Sequence, residues 1–437
     1  MHKMKRTIAV SMSILFVLSA TLIPGQALAV SELDDKEYYN VLIEQSKQEF
    51  IDTVTTICAN ETSPWLIVAA VAMSDRDDIS EDDLVSIIVD ERNPNLLRRI
   101  AIESYSAKSP EIVDEAVIEM MIEESENASL RTLAIALLSD FLKKEDAYIL
   151  VSASASNNEN LAYNAIKALE RVDAKRAVRV ASEIYENYTN ETPARINIAA
   201  KVLSRALSNN TSVARQNGLN QNAFIEKSME IYNSTVNEEI RYAIGQSVNR
   251  ISKAEVETLP IAPRATGYEG YSAYRDGVVL GEWHAGIVYT NESEYILAHA
   301  PGGDDPTEFV NYRDFIDGND SMGCYRPFAT LTTSKRDSVC RTAADLVGER
   351  IEYILTDPIR YSTASTATSK YPASDIIAIR CDGFVEYSYE YNNVQVFGNS
   401  DYWNIASVDP RAEIEHSGFQ MTPKKQAEDY MEYVGIF

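Results

Sequence analysis

Arg380-Cys381-Asp382-Gly383-Phe384-Val385-Glu386-Tyr387 is the stretch that decides how the C-terminal part of this 437-residue chain folds. A cysteine is followed by an acid and a glycine, then by apolar residues at helical spacing. That is the pattern of a buried helix opening at the thiol. A thiol at a helix N-terminus feels the positive end of the aligned peptide dipoles, which favours its thiolate. Earlier in the chain, Trp283-His284-Ala285-Gly286-Ile287-Val288-Tyr289 places a histidine at the start of an apolar strand. A thiol and an imidazole are the minimum set for acyl transfer through cysteine. Histidine is scarce here: beyond His2, only His284, His299 and His416 occur.

Residues 284–290 and 293–300 read as a hairpin around Asn291-Glu292. A turn centred there pairs Thr290 with Ser293, and therefore His284 with His299. Directly opposed residues share a face, with Cβ atoms about 4.5–5.5 Å apart. His299 would then orient His284, so the candidate catalytic set is Cys381, His284 and His299. A one-residue slip would put the two rings on opposite faces. Around this hairpin, strands are expected at 281–290, 294–300 and 322–326, and a helix at 334–348, which makes the region 267–437 an α+β domain.

Upstream the character changes. From about residue 31 to 258, Gly and Pro are rare and apolar residues recur at helical spacing. Leu97-Arg98, Leu130-Arg131, Leu161 and Ala194-Arg195 open four similar segments with a period of 31–33 residues. Each segment fits two antiparallel helices with a short polar break, and such units bury their apolar faces only by stacking. An irregular helical bundle is the alternative. The polar stretch 208–222 reads as a loop, and Leu259-Pro260-Ile261-Ala262-Pro263 as a linker. The expected division is a leader at 1–29, a helical repeat domain at 30–258, a linker at 259–266 and the α+β domain at 267–437.

Lys3, Lys5 and Arg6, an apolar run from Ile8 to Leu22, and Ala27-Leu28-Ala29 form the pattern of a secretory signal with cleavage after Ala29. The expectation is a secreted chain with no stable membrane anchor. The net charge of -26 argues against nucleic acid and anionic lipid as partners. Cysteines occur at 58, 324, 340 and 381. Export permits disulfides; with Cys381 kept reduced, Cys324 and Cys340 can pair, leaving Cys58 as a free buried thiol.

The motif around Cys381 resembles the Cys-Ser-Gly-Phe-Val signature of NlpC-type papain-like cysteine peptidases. His284-Ala285-Gly286-Ile287-Val288 is similar to that family's His-x-Gly-Ile-Tyr strand. Because the histidine strand precedes the cysteine, the order resembles the circularly permuted branch, the YiiX-like and lecithin–retinol acyltransferase-like proteins. The resemblance covers about residues 267–433. It implies a papain-like fold, a Cys381 thioester, His284 as general base and then acid, His299 as orienting group, and no metal or organic cofactor. Asp382 stands where the family has serine and puts a negative charge beside the sulfur. The Gly-Asp that often opens the permuted fold is absent, with Arg275-Asp276-Gly277 in its place. The helical half resembles HEAT or armadillo-type repeats.

The expectation is therefore an exported thiol hydrolase or amidase acting on a peptide or amide, with peptidoglycan as candidate substrate and a protein partner on the helical repeats. Its alternatives are a lipid-directed thioesterase or acyltransferase, which would need an apolar groove beside Cys381, and an inert scaffold using the helical repeats. A zinc site built from the two histidines and the cysteine is a further alternative. His416, in Glu415-His416-Ser417-Gly418-Phe419, is the second candidate base, since it follows Cys381 as an unpermuted order would require.

Overall fold

The computed structural model describes residues 35–436, except 61–62, 64, 210, 253–266, 280–281, 291–295, 304, 399–400 and 417–420. The expected leader and linker lie outside the described residues. What is described is a helical region followed by an α+β region.

Helices Asn95–Ala107, Ala128–Leu138, Glu159–Val172 and Pro193–Asn209 carry the repeated Leu and Ala positions, and each packs on the next. Helices Glu81–Val89, Glu115–Ile122 and Ala147–Ser154 form a second layer against them. Local sequence explains where the inner helices start. Asn127 accepts from the N–H groups of Ser129 and Leu130, and Asn158 from that of Leu161. Such caps contribute about 1 kcal/mol each. The inner helices are buried nearly all round: on Glu159–Val172, Leu161 to Leu169 are all buried, polar Asn164 and Lys167 included. Two helical layers cannot bury those polar side chains alone; their partners come from the α+β region.

The stretch 208–222, expected as a loop, is mostly helical. Pro193–Asn209 runs through Ser208, and Thr211–Gln216 forms a further helix before Gly218 turns the chain with φ 71°. Ala214 is buried and Leu207, Val213 and Leu219 pack on the core, so tertiary burial outweighs a polar composition there.

The α+β region is built on a six-stranded antiparallel sheet in the order β4-β3-β2-β1-β5-β9, from β1 Ser272–Val279, β2 Glu282–Thr290, β3 Ile296–His299, β4 Glu308–Asn311, β5 Ser321–Pro327 and β9 Met431–Gly435. A small sheet β6-β8-β7 joins Glu352–Tyr353, Ile376–Ile379 and Ile359–Tyr361, with β6 and β8 parallel. Helices Thr333–Gly348 and Cys381–Glu390 both pack on β2. Gly383 is obligatory in the second of these: a Cβ there would lie 1.9 Å from the Pro358 carbonyl oxygen.

The two regions meet over polar contacts. Glu103 accepts from the backbone N–H of Leu355 and of Thr356, at 3.0 and 3.1 Å. Asn164 donates to Glu352 at 2.9 Å and Lys167 to the Ile376 carbonyl at 3.1 Å. Asp140 accepts from Ser362 and the Thr363 backbone, both at 2.7 Å. Lys201 and Lys167 flank Glu349 at 3.0 and 3.7 Å. These contacts supply the partners that Asn164 and Lys167 need.

The expected pairing of Cys324 with Cys340 does not form. All four cysteines are free and buried. Cys324 packs with Ala273, Val288, Leu297 and Phe315, while the Cys340 thiol donates to the Val288 carbonyl at 3.6 Å.

Candidate active site

Cys381 begins its helix directly after β8, with Arg380 in an extended N-cap conformation. The reversal from strand to helix needs buried charge to be held in place. Arg380 and Asp382, both fully buried, form a two-bond ion pair at 2.7 and 2.8 Å. Arg380 also donates to the carbonyls of Leu355 and Met421. The Asp382 carboxylate is therefore charge-paired with its neighbour two residues back.

The Cys381 sulfur takes hydrogen bonds from the Ala285 backbone N–H and the Tyr353 hydroxyl. Burial pushes the thiol up to about 12, with the Asp382 charge adding to the rise and Arg380 and the two hydrogen bonds opposing it. At rest the group is a neutral thiol. Arg275, paired with His284 across β1 and β2, interacts electrostatically with both Cys381 and His284.

His284 and His299 do come together, through a different register from the expected one. His299 lies opposite Gly286, and Ala298 and Leu297 lie opposite Ile287 and Val288. The pairing is shifted by two residues, and an even shift preserves the face. The rings meet diagonally, with His284 Nε2 2.7 Å from His299 Nδ1. Gly286 makes this possible: a Cβ there would crowd the His299 Cβ and the Ala298 carbonyl, both at 3.1 Å. Phe315 packs against both rings, with centroids 5.3 and 5.5 Å away.

The chain of contacts continues outward. Glu308 lies opposite His299 on β4, and its carboxylate is 3.5 Å from His299 Nε2. Burial holds His284 well below its ordinary value, with His299 and Arg275 adding to the effect. Burial also lowers His299, against a raising contribution from Glu308. Both rings are thus neutral near pH 7. The tautomers that satisfy the chain have His299 Nε2–H facing Glu308 and His284 Nε2–H donating to His299 Nδ1. His284 Nδ1 is then an unprotonated nitrogen, buried and without a hydrogen-bond partner among the described residues. It sits on the residue next to Ala285, whose N–H touches the Cys381 sulfur. This arrangement provides a base, a ring that orients it and a carboxylate behind that ring.

Sequence reasoning missed Tyr353, Glu308 and the role of Arg275. Each owes its place to a strand pairing or a long-range contact, and none stands in a recognisable motif. His416 is held elsewhere. Its Nε2 lies 2.7 Å from Glu386 and its Nδ1 2.6 Å from the Ala412 carbonyl, and the ring borders a cavity that Cys381 does not line. Burial acts against its charge, but Glu386 and Glu390 outweigh it and raise the ring to about 9. Among the described residues, Glu386, Glu390 and His416 are the one group of possible metal ligands whose atoms all lie within 4.8 Å of each other. Cys381, His284 and His299 do not gather in that way. Glu390 accepts from the backbone N–H groups of Val396, Phe397 and Ile405, so this cluster anchors the loop that follows the Cys381 helix.

Among the described residues no helix is long and apolar enough to cross a membrane. Comparison with known proteins adds no relative: no family model, no curated protein and no solved structure matches the chain.

Proposed function

We propose that the protein is a thiol hydrolase or amidase of the permuted, NlpC-like papain-type class, working through Cys381, His284 and His299. The observation that carries this reading is the hydrogen bond from His284 Nε2 to His299 Nδ1, which leaves His284 Nδ1 open beside the backbone that contacts the Cys381 sulfur. The Cys381 helix packed on β2 also supports a papain-type arrangement. The 31–33-residue period and the two helical layers support HEAT-like repeats in the N-terminal half.

In this reading His284 Nδ1 accepts the thiol proton as sulfur attacks the substrate carbonyl. The tetrahedral oxyanion is stabilised by the first N–H of the Cys381 helix and by the Tyr353 hydroxyl. His284 returns the proton to the leaving nitrogen or oxygen as the thioester forms. Water then attacks the thioester with His284 again as base, which restores the thiol. Because thiol and imidazole both start neutral, the proton moves during attack and no thiolate–imidazolium pair exists beforehand. The leader motif supports export, and cell-wall peptide is the candidate natural amide.

A second reading, a lipid-directed thioesterase or acyltransferase, is favoured by the apolar side chains of Trp283, Leu355, Leu96 and Leu130 around the cavity that Cys381 lines. The test common to both is acylation by p-nitrophenyl acetate followed by peptide mass spectrometry. Acetyl should accumulate on Cys381, vanish in Cys381→Ala and form about 100-fold more slowly in His284→Ala. Acetyl on lysines alone would mean an inert protein.

A further inference from the structure

We propose that the helical region forms the specificity wall of the Cys381 cleft and selects an uncharged substrate with an apolar group beside the reacting carbonyl. This rests on the assignment of Cys381 as nucleophile and adds a binding site made by the other half of the chain.

The cleft is a cavity of about 380 Å³ lined by both regions. At about 30 Å³ for each water-sized group, it holds about a dozen non-hydrogen atoms, more than the reacting bond needs. One wall carries Cys381, Tyr353, Leu355 and Trp283. The opposite wall comes from the starts of three helices of the N-terminal half: Leu66 and Ile67, Asn95 and Leu96, and Leu130. The helical half therefore does not merely brace the α+β region; it closes the cleft over the thiol.

The chemistry of the lining narrows the occupant. Among the described residues no acidic side chain lines the cavity, and the two cations there are already engaged. Arg99 donates to the carbonyls of Gly303 and Tyr353. Arg380 is bound to Asp382 and to two carbonyls. A carboxylate entering here would find no free cation among the described residues to replace its water, a cost that disfavours it. The net charge of -26 adds long-range repulsion. An uncharged chain has no such penalty. Its apolar part would lie against Leu66, Leu96 and Leu130.

The test compares two esters with the same leaving group, p-nitrophenyl octanoate and mono-p-nitrophenyl glutarate, on the full mature chain at about pH 8. Wild type should favour octanoate by at least about tenfold in kcat/KM. Leu96→Glu, at a half-buried position, should lower octanoate turnover about tenfold, with Leu96→Met close to wild type. Asn95→Lys, at an exposed position that leaves the core untouched, should raise glutarate turnover several-fold. Alkylation of Cys381 by iodoacetamide, too small to need the wall, should stay within about twofold in all forms. Equal turnover of both esters, or a preference that none of these variants moves while alkylation persists, overturns the specificity wall and leaves Cys381 as nucleophile. Turnover that survives Cys381→Ala in full removes the nucleophile, and the wall with it.

Discussion

Gly286 stands opposite His299 across β2 and β3, and the missing side chain is what lets the His299 ring reach His284 two residues away. Had the histidines paired directly, as the hairpin suggests, a side chain at 286 would not have intruded between them. In the observed register any side chain there pushes against the His299 Cβ.

Gly286→Ala should cost about 1–3 kcal/mol, as overpacking in a full core does, and should break the contact between the two rings. Urea unfolding gives the first quantity. Acylation of Cys381 by p-nitrophenyl acetate gives the second, which should fall about tenfold or more. Wild-type acylation in a folded Gly286→Ala protein would mean that His299 has no orienting role.

The neutral resting thiol has a direct signature. With Cys381 pushed up to about 12 by burial, its alkylation by iodoacetamide should rise about tenfold per pH unit between about pH 7 and 10, because only the thiolate reacts. His284→Ala should leave this profile nearly unchanged while slowing acyl transfer about 100-fold. A rate already at plateau near pH 6 would instead reveal a preformed thiolate–imidazolium pair.

Glu349 joins the two regions through Lys201 and Lys167. Glu349→Gln would leave two buried lysines facing a neutral amide and should destabilise the fold by about 3–5 kcal/mol. Although burial raises it, the Glu349 carboxyl is lowered overall by Lys201 and Lys167. Its contribution is therefore present above about 4.5, the ordinary value, and is lost as pH falls further. Burial lowers Lys167 to about 8, opposed by Glu349. The gap between the urea midpoints of wild type and variant should narrow as the pH is lowered from about 5 to 3; a constant gap would remove the ion pair as the cause.

His416 titrates in the opposite sense. Its ring is raised from 6.5 to about 9 because Glu386 and Glu390 outweigh burial. The stability it contributes is complete below about 6.5 and is lost as pH rises through about 9, on the order of 3 kcal/mol. His416→Gln should be less stable than wild type at about pH 6 and should lose the alkaline dependence. It should also keep Cys381 acylation within a few-fold of wild type, since His416 is bound to Glu386 and lies on another cavity. Loss of acylation in a folded His416→Gln protein would return this histidine to the catalytic set.

Much of the site was legible because it is local. Cys381, Gly383 and the apolar residues after them specify a helix that opens at the thiol, and the alternation around His284 specifies a strand. The hairpin register was less legible, because a weak turn does not set the pairing and the two histidines share a face in either register. The loop expected at 208–222 failed for a related reason: Ala214 is buried, and Val213 and Leu219 pack partly buried on the core, through contacts that composition does not report.

The sequence by itself determined the division into a helical and an α+β region, the strand carrying His284 and the helix starting at Cys381. Periodicity and glycine placement act over a few residues and need no partner. Only the tertiary structure decided that Gly286 faces His299, that Glu308 stands behind that ring, that Tyr353 touches the sulfur, and that Leu66, Leu96 and Leu130 close over the cleft. Those relations join residues far apart in the chain, and the packing of strands, helices and buried charges sets them.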